Sequence, residues 1–444
     1  MTLAVPTPTP RRAAAASFVG TLTEYYDFFI YGTAAALVFN QLFFTDLSPA
    51  VGTLVAFATF GVGYVIRPLG GIVFGHIGDR LGRRRSLVIT LLMMGLATFL
   101  IGCLPTYGQI GQAAPVLLVV LRLVQGFAVG GELGGAFGMA VEHAPDHRRG
   151  FFGAFAMSGA FAGLVLSSAV IGPLTLLSDE AFLAWGWRVP FLLSAVVVGI
   201  GLVIRHRVAE SPVFEESRRA GTTERVPLWT VLHRHWRKVL TILLIWSGPN
   251  TILYLVTVFG LSVATTSYGV PRTTMLWLVG IAASVLVVSA PLWGALSDRV
   301  GRKWLVVAGV PVEAVLLWLF FVSLPTANPW AILATMMLVL GAGHGIITGI
   351  SPAFFIEMFP TELRCTAVSV GQQLAAVVGG FAPVIAVALS SGGRGLMPVA
   401  GYVAVLCGLG AIALATLVKD TTGSDLGASA PEHAGERSPA PEAA

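Results

Sequence analysis

Twelve apolar runs of roughly 20 residues, each closed by a polar or charged break, pattern the chain. They fall near residues 17–44, 50–75, 86–104, 114–142, 150–177, 189–206, 238–267, 274–297, 304–324, 329–357, 366–391 and 398–418. At a rise of ~1.5 Å per residue, each is long enough to cross a bilayer as a helix. The pattern therefore predicts an all-α membrane protein of twelve transmembrane helices.

Composition agrees with that reading. Of 444 residues, 55% are hydrophobic and only 11% are charged. A soluble chain of this length could not hide so much apolar surface. The basic residues give an orientation. With both termini cytoplasmic, 22 of the 27 lysines and arginines lie inside, three (Arg188, Arg272, Arg394) lie outside, and Arg67 and Arg122 lie within helices. The net charge of +5 thus reflects topology, and no nucleic-acid partner is needed to explain it. The start, MTLAVPTPTPRRAAAASF, lacks the apolar segment and cleavage site of a signal peptide, so the first helix is expected to remain as an anchor. Cys103, Cys365 and Cys407 show no paired spacing and suggest neither a disulfide framework nor a metal site.

A repeat divides the chain. Gly75-His-Ile-Gly-Asp79-Arg80-Leu-Gly82-Arg83-Arg84-Arg85 follows the second run, and Gly294-Ala-Leu-Ser-Asp298-Arg299-Val-Gly301-Arg302-Lys303 follows the eighth, 219 residues later. Glu142…Arg149 after the fourth run and Glu357…Arg364 after the tenth make a second pair, offset by 215 residues. Matching offsets at matching loops predict two six-helix halves. The divisions are a tail over 1–16, a first half over 17–206, a linker over 207–237, a second half over 238–418, and a disordered tail over 419–444. In the loop motif, glycine permits a tight turn, the aspartate suits a helix N-terminus, and the arginines need carboxylates on a neighbouring loop. Asp79, Arg80, Arg83, Glu142, Arg149, Asp298, Arg299, Arg302, Glu357 and Arg364 are therefore expected to form charge latches that hold one conformation.

These residues carry a resemblance. The repeated loop is similar to that of the major facilitator superfamily, and Leu121-Arg122-Leu-Val-Gln125-Gly126 resembles its second helix motif. More narrowly, Arg67-Pro68-Leu69-Gly70-Gly71, Gly130-Gly131-Glu132-Leu133-Gly134-Gly135 and Glu210-Ser211-Pro212-Val-Phe214 resemble the metabolite:proton symporters. Ala36-Leu-Val-Phe-Asn40 and the stretch from Thr53 to Gly63 look like the shikimate permease branch. Where that family commonly has Asp-Trp-Tyr-Asp, this chain has Glu24-Tyr25-Tyr26-Asp27. The resemblance implies a bacterial-type inner-membrane protein, monomeric, that carries shikimate, related organic acids, or proline and betaine.

Ionisable groups inside helices cost about 2.5–3.5 kcal/mol each on insertion scales, so each needs a partner or a purpose. Helix geometry places Glu24 ~10 Å and Asp27 ~15 Å from the start of the first helix, and Arg67 at about the depth of Glu24. Glu24 is either the structural partner of Arg67 or a second proton site. Glu132 reaches about the level of Asp27, and two carboxylates in one low-dielectric site cannot both stay charged cheaply, so one binds a proton. Asp27, Glu132 and Glu24 are the proton-coupling candidates, with Asp27 first. Arg122 either holds a substrate carboxylate bidentately or pairs permanently with an acid. Tyr31, one turn from Asp27, can point its hydroxyl into a cavity, and Gln125 lies one turn from Arg122. Trp246, Asn250 and Tyr254, spaced by four, offer an aromatic and polar face that suits a polyol or a ring. His344, between glycines, would contact substrate, relay a proton or hydrogen-bond structurally, and Gln372 and Gln373 are further candidates. Glu313 on the ninth helix has no partner that the sequence identifies. Gly126, Gly130, Gly134 and Gly138 form a stripe suited to close helix packing.

No Gly-x-x-x-x-Gly-Lys-Ser/Thr loop, catalytic triad, metal cluster or cofactor fingerprint occurs. The expected function is therefore not enzymatic. It is import of a small anionic organic substrate with protons, by alternating access and without a cofactor. Import of a zwitterion such as betaine or proline, and efflux by antiport, are the alternatives.

Overall fold

The computed structural model describes residues 9–81, 83–130, 132–207, 231, 233, 235–359, 364–391, 395–418, 420 and 422; the side chains of 75, 76, 78–81, 83–87, 132, 133, 203–207 and 365 lie outside that description. Its twelve long helical segments are α1 Pro10–Leu37, α2 Pro49–Phe74, α3 Arg83–Cys103, α4 Ala113–Glu142, α5 Arg149–Leu174 and α6 Val189–Arg207 in the first half. The second half holds α7 Trp236–Thr266, α8 Arg272–Val300, α9 Lys303–Ser323, α10 Pro329–Glu357, α11 Thr366–Ser390 and α12 Met397–Leu417. Nine described helices are long and apolar enough to cross a membrane, and two shorter apolar helical stretches occur, Val88–Cys103 in α3 and Gly186–Leu202, which starts one turn before α6. α1 carries Glu24 and Asp27 within its span.

Local chemistry sets the ends and irregularities. Pro10 and Pro329 open their helices at a position where no backbone donor is lost. Asn328 caps α10 by accepting from the Trp330 N–H at 3.0 Å. α8 stops at Gly301, whose φ of 101° favours a residue without a Cβ. Two π-helical segments interrupt the second half, Leu255–Phe259 in α7 and Leu338–His344 in α10. Such segments widen a helix locally and concentrate at functional sites.

Packing separates apolar from polar by face. Large apolar side chains such as Leu96, Val116, Val288, Leu292 and Val315 stay exposed on the outer helix faces. In water they would be a liability; in a bilayer they face lipid. The polar groups point inward: Glu24, Asp27, Arg67, Arg122, Gln125, Glu313, His344, Gln372 and Gln373 are all buried. The halves meet where α5 runs along α8 and α10, and where α2 and α4 pack on α11.

The glycine stripe of α4 is a packing surface at its first two members. A Cβ on Gly126 would lie 1.9 Å from the Gly63 carbonyl, and one on Gly130 would lie 2.0 Å from the Arg67 carbonyl. α2 and α4 thus touch backbone to backbone, which brings Arg67 and Arg122 into one compartment. Gly126→Ala is expected to lower stability by about 1–3 kcal/mol, the cost of overpacking. Gly135→Ala, with open space around it, is expected to stay within about 0.5 kcal/mol. Thermal unfolding of the two variants in detergent checks the contrast.

Candidate functional site

A small cavity lies between the halves, lined by Tyr25, Arg67, Met157, Trp246, Asn250, Tyr254, Gln372 and Ala376. The space left open is about 10 Å³, room for about one water molecule, so the site is collapsed in this conformation. Each half contributes: α1, α2 and α5 from the first, α7 and α11 from the second. The expected face Trp246-Asn250-Tyr254 does line it, as does Gln372. Gln372 is buried, and neither its Nε2 nor its Oε1 makes a hydrogen bond. A buried primary amide left unmatched is costly, and a polar ligand would satisfy it.

The cation on this cavity is Arg67. Its guanidinium lies 4.0 Å over Phe28 and 4.1 Å over Tyr64, and Nη1 donates to Gln373 Oε1 at 3.4 Å. Among the described residues Arg67 forms no ion pair with Glu24, although both lie near Tyr25. Similar depth put those two groups at one level, but the side chain of Arg67 extends between aromatic rings toward α11. Gln373 in turn donates from Nε2 to the Gly130 carbonyl at 3.4 Å, so one amide bridges α11 to both α2 and α4. Tyr64 and Tyr254 close the remaining gap through a direct hydroxyl–hydroxyl hydrogen bond across the halves.

Asp27 and Arg122 form a second centre. Thr98 Oγ1 donates to Asp27 Oδ2 at 2.8 Å, Gln125 Nε2 donates to Thr98 Oγ1 at 2.7 Å, and Arg122 Nη1 donates to Gln125 Oε1 at 2.6 Å. A continuous chain of hydrogen bonds thus joins the buried acid to the buried cation without direct contact. Arg122 also reaches the Phe60 carbonyl at 3.3 Å and lies 4.1 Å over the Tyr31 ring. Gly63 makes room for it, since a Cβ there would fall 2.5 Å from Arg122 Nε.

Several expectations change here. Arg122 and Gln125 do not line the cavity. Tyr31 donates its hydroxyl to Thr59 Oγ1 at 2.8 Å and offers Arg122 its ring, so its hydroxyl is not free for a ligand. His344 sits one layer behind Trp246, at 6.4 Å between ring centres, and its Nδ1 meets Glu313 Oε1 at 2.7 Å. Glu313 therefore has a partner after all. The side chain of Glu132 lies outside the described ones. The sequence marks Thr98 and Tyr25 only as a threonine in an apolar run and a tyrosine beside two acids.

At the loop end of the helices the charged groups of the second-half loop motif are in contact with one another. Arg302 grips Glu357 bidentately, Nε to Oε2 and Nη2 to Oε1, both at 2.8 Å, and Nη1 reaches Asp298 Oδ1 at 2.9 Å. Burial opposes the Arg302 charge, but the hydrogen bonds and attraction of Glu357 and Asp298 outweigh it and raise its pKa. Asp298 also crosses to the first half, accepting from the N–H groups of Gly150 at 2.8 Å and Phe151 at 3.0 Å. A carboxylate at the N-terminus of α5 meets both free donors and the helix dipole. Glu142 and Arg364, 3.4 Å apart, make a further bridge between halves. Arg149 pairs with Asp146 at 2.6 Å, and Arg299 is exposed. The side chains of Asp79, Arg80 and Arg83 lie outside those described.

A cavity between two helical halves, with charge latches at one end, is the arrangement of a transporter. The Major Facilitator Superfamily model matches residues 17–272 and 254–442. The chain belongs to that superfamily. It is 42% identical to the shikimate transporter of Escherichia coli K12 over 383 residues, 85% of this chain and 87% of that one. It is 40% identical to the inner membrane metabolite transport protein YhjE of the same organism, over 90% of this chain and 92% of that one. The proline/betaine transporter of E. coli K12 is 33% identical over 95% of this chain and 86% of its own length. Among solved structures, a D-xylose-proton symporter superposes with a TM-score of 0.73 at 17% identity, covering 93% of this chain and 98% of that one. The proton:xylose symporter XylE bound to 6-bromo-6-deoxy-D-glucose gives 0.75 at 18% identity, covering 94% and 97%. The superfamily fold of twelve helices in two six-helix halves is thus established, and the protein is a multi-pass membrane transporter rather than an enzyme.

Removing Glu357 would leave Arg302, 1% exposed, with Asp298 as its remaining carboxylate. Glu357→Ala is expected to cost about 3–5 kcal/mol, and Arg302→Met with Glu357→Leu to recover most of it. Unfolding of the three forms in detergent measures both.

Proposed function

We propose that this transporter imports a small organic acid together with protons, by alternating access of its two halves. The cargo is a shikimate-like hydroxylated ring acid or a di- or tricarboxylate. The observation that carries the reading is the pairing of two centres: a cavity holding Arg67 and the unsatisfied Gln372 amide, and beside it a buried acid wired to a buried arginine. Arg67 can take a carboxylate in a planar, two-bond grip that lysine cannot copy. Asn250, Gln372, Tyr25 and Tyr254 supply hydroxyl and amide partners, and Trp246 supplies a flat apolar wall. Similarity to the shikimate transporter supports this class of cargo.

The proton enters at Asp27, with Glu24 and Glu132 as the further acids of that region. Thr98 has one hydroxyl proton and two acceptors in reach, Asp27 Oδ2 at 2.8 Å and the Met94 carbonyl at 2.9 Å. With Asp27 ionised, Thr98 donates to it, and the charge polarises the chain through Gln125 to Arg122. With Asp27 protonated, the carboxyl donates to Thr98, and Thr98 turns its own proton to Met94. That reversal weakens the pull on Gln125 and loosens Arg122 from its seat against α2, the helix that carries Arg67. Opening then requires the Tyr64–Tyr254 contact and the Asp298–α5 cap to part. The predominance of basic residues on one side supports both termini being cytoplasmic, in the inner membrane, and the transporter is taken to act as a monomer.

In liposomes, Asp27→Asn is expected to abolish accumulation of shikimate against its gradient while leaving exchange of internal for external substrate. Concentrative uptake by that variant with unchanged protonophore sensitivity would refute the proton assignment. Thr98→Val removes a hydrogen bond to a charged group worth about 1.5–3 kcal/mol and is expected to lower uphill uptake tenfold or more. Arg67→Lys is expected to weaken carboxylate binding at least tenfold. A thermal-shift panel of shikimate, a dicarboxylate, a tricarboxylate, betaine and proline tests cargo and residue together. Stabilisation by betaine or proline alone would favour the zwitterion reading, in which the aromatic lining takes the cation.

A further inference from the structure

Among the described residues, Glu313 and His344 make a buried acid–base pair that the coupling scheme leaves unused. Their contact of 2.7 Å lies near the middle of the span, ~15 Å from the start of α9. Both are essentially inaccessible, with exposures of 0% and 1%. Gly343 lets α9 come this close, since a Cβ there would lie 3.0 Å from Glu313 Cα and Cγ. Two polar atoms remain unmatched, Glu313 Oε2 and His344 Nε2.

Among the described residues, α5 presents the Phe161 ring edge-on to His344 at 5.5 Å, and α7 presents Trp246. α8 places Ser289 and Trp293 against Gly345, and α12 brings the Cys407 thiol near Glu313. No lysine or arginine among the described residues touches either group. An ionised Glu313 beside a neutral imidazole would leave a net negative charge in this apolar packet, at a cost of several kcal/mol. One additional proton removes that charge, whether it sits on the carboxyl or makes an imidazolium.

The dyad also lies on the seam between the halves. His344 ends the π-helical segment of α10, and its ring bears on Phe161 of α5, which belongs to the other half. Parting of α5 from α10 would wet the imidazole at Nε2 and remove the reason to hold the proton. We infer that Glu313 and His344 form a second proton-binding site, in the second half, which is loaded when the halves close on α5–α10 and unloads when they part. The inference extends the proton-coupled reading by one proton per cycle, and it assigns His344 to proton binding instead of substrate contact.

Two measurements test it. The first needs no substrate: pH-difference infrared spectra of the full chain in lipid report both a neutral carboxyl and an imidazolium. Glu313→Gln is expected to lose the component due to the dyad, and His344→Gln, which still offers Glu313 a hydrogen bond, to shift the carboxyl titration. Spectra of Glu313→Gln that superimpose on those of the wild type between about pH 5 and 9 would overturn the site. The second measures protons moved per shikimate in liposomes by the potential at which net flux vanishes. Glu313→Gln is expected to move one proton fewer than the wild type, and an unchanged ratio in that variant would overturn the role in transport. Failure of shikimate to move at all would count against the proposed cargo, and the infrared result would stand on its own.

Discussion

A charge sealed inside a membrane protein must be met by other protein groups, and that requirement organises the interior of this transporter. Asp27, Arg67, Arg122 and Glu313 are each buried in helices that present leucine and valine to the outside. The four are met in three ways. Asp27 and Arg122 share a hydrogen-bonded chain, Arg67 rests between aromatic faces and an amide, and Glu313 takes an imidazole. Among the described residues, none of the four makes direct contact with a lysine, arginine, aspartate or glutamate side chain of opposite charge, which is what lets a proton or a carboxylate act on them in the scheme proposed above.

Close backbone packing makes those arrangements possible. The approach of α2 to α4 through Gly63, Gly126 and Gly130 leaves no room for water, and it seats Arg122 against Gly63. The same pair of helices carries both arginines, so the position of α4 relative to α2 is felt in the cavity and in the Asp27 centre together. The loop-end latches act on the opposite scale. They are strong, multiply bonded contacts that hold the halves together at one end, with Asp298 serving at once as partner of Arg302 and as cap of α5. An interior held by few hydrogen bonds beside a firmer loop-end contact is a physical basis for the alternation proposed above.

Relations between neighbours along the helices and between repeated loops were readable without coordinates. Twelve spans, two halves, the inward set of ionisable groups, the Trp246-Asn250-Tyr254 face and the partnership of Glu357 with the Asp298…Arg302 loop all follow from period, depth and repetition. Relations that depend on rotation about a helix axis were not readable. Arg67 and Arg122 exchange their expected places because depth says nothing of azimuth, and Tyr31 shows its ring where a hydroxyl was expected for the same reason. His344 and Glu313 meet at the end of the π segment of α10, an irregularity that hydropathy does not mark.

The sequence by itself determined a multi-pass helical transporter of this superfamily and named almost every ionisable group that matters, because burying charge in apolar helices is costly enough to stand out. Tertiary structure alone decided which of those groups share a hydrogen bond, which face the cavity, and that Thr98 and Gln125 link Asp27 to Arg122. Hydrogen bonds act over about 3 Å, whereas helix positions inferred from sequence are uncertain by a full turn.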